Sequence, residues 1–180
     1  DTVRSDKYHA GIIAARYLLE HNHKDVAILC GPEHSYSAQN LTLAFLDTYM
    51  NAGLAIPKER ILYAEKMGYE DGYKLGASFS KNCKATAVCC TSIDSACGFA
   101  DSIHHAGWVI PRDVSLICIE TQKEADNHPT ITTVCNDELQ IAFAAAELLE
   151  QRKLEKNMPV RNLVFSPRLV DGKSVRAISE

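Results

Sequence analysis

The chain has 180 residues, 46% hydrophobic and 23% charged, enough to bury a core in one domain or two small lobes. Its formal net charge is −4 and its isoelectric point about 6.0, so no global basic field draws DNA to it, and no segment clusters Arg and Lys as a DNA-reading helix does. No apolar run approaches the roughly 18 residues of a membrane-spanning helix, and the amino end, DTVRSDKYHAG, lacks signal-peptide architecture.

Tyr8, Ile12, Ala15 and Leu19 recur at helical spacing, which predicts an amphipathic helix over 8–20 that ends at Asn22, a residue tolerant of the left-handed cap. Val26 to Cys30 reads as a buried strand, followed by the loop GPEHSYS. A helix is expected over 37–51, with Leu43, Leu46 and Met50 on one face and Gly53 as its stop. Ile61 to Ala64 is strand-like. Residues 69–80 are helical in pattern, although Gly72 and Gly76 weaken a helix. Thr86 to Cys90 reads as a strand, and residues 94–106 as a helix with Ser92 as N-cap.

Residues 105–134, HAGWVIPRDVSLICIETQKEADNHPTITTV, carry the most information. Gly107 ends a helix, Val109-Ile110-Pro111 turns the chain, and Val114 to Ile119 is a strand apolar at almost every position. Glu120 stands at its exit, where open α/β sheets bind ligands, and a loop leads to a β-rich segment over 130–134. Leu139, Ala142, Phe143, Ala146 and Leu149 mark a strong helix, and residues 162–170 read as one or two strands around Pro167. Strands alternating with helices as far as residue 120 predict a parallel sheet covered on both faces.

Seven cysteines (Cys30, Cys83, Cys89, Cys90, Cys97, Cys118 and Cys135) sit mostly inside apolar runs. They read as buried free thiols, a pattern of the cytoplasm rather than of a disulfide scaffold. Cys89 and Cys90 are adjacent in a strand and point to opposite faces. His21-x-His23 and His104-His105 lie at helix ends, where partial positive charge is favourable, and no ligand spacing for zinc accompanies them. Neither a P-loop, nor G-x-G-x-x-G, nor G-x-S-x-G is present, and Cys97 has no evident His and acid partners. The sequence points to no catalytic residue, no metal and no cofactor.

Five segments, in order, resemble the effector-binding core of the lactose-repressor/galactose-repressor family of bacterial transcription regulators. They are YHAGIIAARYLLEHNHKDVAILCG (8–31), KATAVCCTSIDSACG (84–98), residues 111–120 against "P.dvsvigfD", 129–134 against "P.LTTv", and LVFSPRLVDGKS (163–174). The resemblance implies a periplasmic-binding-protein-like (type I) α/β fold, a parallel sheet flanked by helices. By that analogy residues 1–128 form the second lobe, 129–156 belong to the first, and 157–180 return to the second. The DNA-reading headpiece and most of the first lobe are expected to be absent, leaving the helix over 137–153 without its partner.

The same resemblance places effector contacts at Glu120, Ser37, Gln39, Leu41, Met67, Ser92 and Ile93. Glu120 stands where relatives have an Asp that takes hydroxyls; a solvated loop Glu is the competing reading. Leu41 replaces a clamping Arg, a loss of a planar donor fork. Ser92 and Ile93 replace an Asn-Asp pair, with Asp94 beside them to serve the helix N-terminus. Met67 replaces an aromatic that stacks on the ligand. The expectation is the effector-binding and dimerisation portion of a transcriptional repressor, a homodimer sensing a sugar-like or more apolar molecule and reaching operator DNA only through a headpiece. The alternative is a stand-alone binding or interaction module of the same fold.

Overall fold

The computed structural model describes residues 1–82 and 84–179. VAILC and AVCC contain no strongly polar side chain, and both become strands buried at every position, β2 (Val26–Cys30) and β4 (Ala87–Cys90). They lie in a six-stranded sheet with β3 (Ile61–Tyr63), β5 (Ser115–Thr121), β6 (Thr132–Asn136) and β8 (Arg168–Val170), in the order β3-β2-β4-β5-β6-β8. All neighbours are parallel except β6 and β8. The expected sheet is therefore present, and its apolar runs follow from covering both faces.

Helices α1 (Lys7–Glu20) and α2 (Tyr36–Asn51) cover one face, where Leu18, Ile28, Phe45, Tyr49, Cys89 and Ile117 share a core. Helices α3 (Tyr69–Asn82) and α4 (Ile93–His105) cover the other, over Phe79, Val88, Cys90, Phe99, Ile103 and Leu116. Cys89 and Cys90 thus part to opposite faces. Asp6, Ser35 and Ser92 cap α1, α2 and α4 by accepting from the N–H groups of His9, Ala38 and Ser95. Asn22 (φ 63°), Gly53 (φ 74°) and Gly107 (φ 82°) take the left-handed positions that release the chain after helices. Burial pushes the thiols up, Cys30 to about 11 and Cys90 to about 12, so both stay protonated and behave as small hydrophobes. Cys83 lies outside the described residues.

Several expectations need correction. The buried face of α2 is Ala38, Leu41, Ala44, Phe45 and Tyr49; Leu43 and Met50 face solvent, and only Leu46 packs against the core. The rotation is set by α1, since a Cβ on Gly11 would meet Ala44 at 2.6 Å, so the small residues must face each other. Residues 122–127, read as loop, form a short helix, α5 (Gln122–Asn127), capped by Thr121. Its six residues are too few to show a helical repeat. β6, within the segment 129–156 expected to belong to a first lobe, pairs with β5 in the main sheet, and the chain leaves that sheet as α6 (Glu138–Leu154) begins. β7 (Asn162–Phe165) does not rejoin that sheet but pairs with β1 (Thr2–Ser5) in a separate parallel pair. Beside this pair lies α6, held by Arg152, whose guanidinium grips the Asp1 carboxylate at 2.6 and 2.9 Å. The outer stripe of α6 stays bare, with Leu139 71%, Phe143 70% and Leu154 86% exposed.

His23 departs from the helix-end reading as well. It is fully buried, with Nδ1 at 2.9 Å from Thr86 Oγ1 and Nε2 at 2.9 Å from the Arg176 carbonyl. It fastens the carboxyl-terminal strap, whose Ile178 N–H donates to the His21 carbonyl. Burial lowers its pKa from 6.5 to about 4. The folded chain holds His23 neutral while the unfolded chain protonates it. Stability from this group is therefore complete above pH 6.5, falls between 6.5 and 4, and is flat below. The expected loss is roughly 3 kcal/mol, read as urea midpoints against pH, and a His23→Gln variant should lack that slope. A wild-type midpoint constant over this window would refute the buried neutral imidazole.

A Cβ on Gly98 would lie 2.0 Å from the Tyr69 carbonyl oxygen, whereas one on Gly68 would meet nothing within 4 Å. Gly98→Ala should lower stability by about 3 kcal/mol in urea unfolding, with Gly68→Ala near neutral. Equal midpoints for the two variants would contradict this packing.

Candidate functional site

Parallel pairing brings the carboxyl ends of β2, β4, β5 and β6 to one edge of the sheet, the place where open α/β sheets bind ligands. Four loops meet there: Gly31–Ser35, Ala64–Gly68, Thr91–Ser92, and the β5–α5 junction at Thr121.

Glu120 lies within β5 and not in a loop. Leu116 and Cys118, which share its parity, belong to the α4-side core, so its carboxylate turns toward the start of α4. There Oε2 accepts from the Ile93 N–H at 3.2 Å, and Oε1 accepts from the Thr121 N–H at 3.1 Å. The residue expected to meet hydroxyls satisfies an open N–H at the first turn of α4. Burial pushes its pKa up; the two backbone donors and Lys7 pull it down, and Glu124 adds to the rise. Two of the carboxylate's four acceptor sites remain available.

Ser92 binds on both sides, donating to the Met67 carbonyl at 2.8 Å and accepting from Ser95 N–H. Met67 has φ 52°, and its sulfur takes the Thr91 hydroxyl at 3.6 Å beside Gly31. Glu120, Ile93, Ser92, Met67 and Thr91 thus form one linked constellation across β5, β4 and the β3–α3 loop. Ser37 and Gln39 stand apart in the first turn of α2, with no side-chain hydrogen bond to a described residue. Near them Arg4 of β1 donates to the Tyr36 hydroxyl at 2.7 Å and stacks on its ring.

Two expected contacts are misplaced. Leu41 is 2% exposed inside the α1–α2 core, and Ile93 is 6% exposed inside the α3–α4 core. An apolar side chain at either position gains more by turning into the core than by fronting water. Only the Ile93 N–H reaches the site. Asp94 remains exposed in the first turn of α4, in keeping with a helix-terminal role. One residue escaped sequence reasoning: Asn136, the last of β6, in register with Thr121 and only 5% exposed. A buried Asn closing a strand at the binding edge was the available signal.

Two hollows lie off this edge. One of about 530 Å³ is lined by Cys97, His128, Leu116 and Ile131, and one of about 520 Å³ by Leu62, Lys66, Lys74 and Leu75. Cys97 Sγ sits 3.8 Å from His128 Nδ1, a partner the sequence did not show, yet burial and the nearby Asp101, Asp94 and Glu124 raise its pKa. A thiol held protonated is a poor nucleophile. No group of three or more His, Cys, Asp or Glu suited to a metal ion occurs among the described residues.

Because burial raises the Glu120 pKa, its stabilising protonated state is complete at low pH and is lost as pH rises through the folded value. Glu120→Gln gives up the acceptor for Thr121 N–H but keeps the one for Ile93 N–H without the buried charge, so stability at pH 7 should stay near wild type. Glu120→Ala orphans that N–H and should lower it by ~1–2 kcal/mol. Thermal melts of both variants check the order, and a Gln variant weaker than the Ala variant would break it.

The sequence profile of the periplasmic binding protein-like domain matches residues 15–175. The HTH-type transcriptional repressor PurR of Proteus mirabilis is 28% identical over 177 residues, which are 97% of this chain and 52% of that protein. A LacI family transcriptional regulator from Enterococcus faecium, solved with bound ribose, superposes with TM-score 0.88 at 20% identity, covering 99% of this chain and 66% of that one. A transcriptional regulator from Bacillus cereus subsp. cytotoxis gives 0.88 at 21%, covering 97% and 62%. The chain spans about half the length of the curated relatives it matches. No described helix is long and apolar enough to cross a membrane. The chain belongs to the periplasmic binding protein-like domain family.

Proposed function

We propose that this chain is the effector-binding and dimerisation portion of a cytoplasmic transcriptional repressor, sensing a small molecule at the carboxyl edge of its sheet. The observation that carries the reading is the pairing of that edge with a second, incomplete layer. β1, β7 and α6 stand beyond it, and α6 presents an apolar stripe with no cover among the described residues. Such a stripe favours association. In this reading residues 1–5 and 137–165 belong to a first lobe completed by the part of the longer relatives that this chain does not match. The ligand closes one layer on the other, and the population of closed dimers sets operator affinity.

The relatives are regulators, and the polar groups described at the strand ends include no activated nucleophile or base. Binding without turnover is the chemistry this supports. The ligand meets Met67 and Ser92 and the free acceptor sites of Glu120 on this side, with Ser37 and Gln39 at the rim. Operator DNA is reached through a separate headpiece, since the net charge of −4 gives this portion no global basic field.

A melting-temperature screen against sugars, sugar phosphates, nucleobases and amino acids tests the reading, with sedimentation to give the assembly state. One compound class should raise the melting temperature in a saturable way, and the chain should sediment as a dimer. Turnover of any of these compounds, or tight sequence-specific retention of duplex DNA at physiological salt by this chain alone, would sink it.

A further inference from the structure

Cys97 is the one cysteine among the described residues that is not buried; Cys30, Cys89, Cys90, Cys118 and Cys135 are all enclosed. It stands in the second turn of α4, on the hollow of about 530 Å³ that lies off the binding edge. Its Sγ is 3.8 Å from Nδ1 of His128, which lines the same hollow. Ile110, Leu116 and Ile131 give that hollow an apolar lining, and Asp101 and Lys173, of opposite charge, stand in its wall.

Both donors sit on fixed backbone. Cys97 is inside a helix of 13 residues. His128 closes α5: its N–H donates to the Glu124 carbonyl at 3.0 Å, and its carbonyl accepts from the Ile131 N–H at 3.0 Å. Its imidazole makes no other side-chain hydrogen bond to a described residue. A thiol is a weak donor, so the pair gains little from the contact itself.

An ion between the two atoms gains more. Metal–sulfur and metal–nitrogen bonds of about 2.3 and 2.0 Å span donors up to roughly 4.3 Å apart, and 3.8 Å lies within that reach. Thiolate and imidazole have copper(I) and zinc in common as preferred ions. Zinc takes three or four protein ligands, and no group of three or more His, Cys, Asp or Glu suited to a metal ion occurs among the described residues. Charge decides the same way. A monovalent ion that replaces the thiol proton leaves the pair neutral, whereas a divalent ion leaves a net positive charge against Ile110, Leu116 and Ile131.

We propose that Cys97 and His128 form a two-donor site for a soft monovalent metal ion of the copper(I) class. On binding, the thiol S–H bond breaks, its proton passes to solvent, and Sγ–metal and Nδ1–metal bonds form; no electron is transferred. Burial, with Asp101, Asp94 and Glu124, raises the pKa of this thiol, so the ion must displace a proton and its affinity grows with pH.

The test titrates the chain, without oxygen, with copper(I) held by bicinchoninate. A Cys83→Ser background is used because Cys83 lies outside the described residues. The chain should withdraw one ion per molecule, with affinity rising about tenfold per pH unit above neutrality. Cys97→Ser should abolish the withdrawal and His128→Ala should weaken it about tenfold or more. Peptide mapping supplies a readout that needs no variant at the site: one equivalent of copper(I) should shield Cys97 from N-ethylmaleimide. No withdrawal, equal withdrawal by Cys97→Ser, unchanged affinity in His128→Ala, or undiminished alkylation of Cys97 overturns the site. Zinc withdrawn in preference to copper(I) overturns the metal class. The hollow lies off the strand edge, so none of these outcomes bears on the effector reading.

Discussion

The backbone of α3 touches the backbone of α4, and the carboxyl edge of the sheet is arranged around that contact. A Cβ on Gly72 would sit 1.9 Å from the Ser95 carbonyl oxygen, and one on Gly98 would sit 2.0 Å from that of Tyr69. Only glycine permits helices this close. The contact fixes where α3 begins, and so where the β3–α3 loop returns over β4. That placement puts the Met67 carbonyl within reach of Ser92, the residue that caps α4. Glu120 completes the arrangement from β5 by taking the Ile93 N–H. One steric constraint thus organises most of the polar network at the strand ends.

The opposite face solves the same problem differently. α1 and α2 approach through Gly11 and Ala44, and the sheet beneath them is sealed at its far end by the carboxyl-terminal strap. His23 joins that strap to β4 through Thr86, and Tyr49 donates to the His23 carbonyl. These are core interactions with every polar atom answered. The network lies at the amino-terminal end of the strands, opposite the binding edge, so its satisfaction costs nothing in recognition. Asn136, at the other end of the strands, differs: its carboxamide oxygen has no hydrogen-bond partner among the described residues.

The sheet, its parallel sense and nearly all helices were legible in the sequence because buried strands have no polar face and the caps carry their own chemistry. Asn22, Gly53 and Gly107 fall at left-handed positions that their residue types foretell. What the sequence hid was rotation and commitment. Leu43 and Met50 look like a helix face, yet the close approach of Gly11 to Ala44 turns them outward. Gly72 and Gly76 look like helix breakers, and are instead what lets α3 sit on α4. Glu120 was correctly placed at the strand end, but a sequence cannot show that its oxygens are already taken by two N–H groups. Leu41 and Ile93 were expected at the site from resemblance alone, and a sequence carries no information on which way an apolar side chain turns.

The burial of Leu41 and Ile93 and the capture of Glu120 belong together physically. Neither apolar side chain gives the strand edge a polar group, because each turns into one of the two cores, where it gains burial. The Glu120 carboxylate is met from within the chain by the Ile93 and Thr121 N–H groups, which offset part of the cost of burying its charge and leave it two acceptor sites. The strand ends therefore carry hydroxyls, a thioether, one amide and a half-satisfied carboxylate, and in the proposed reading these are the groups a ligand would meet.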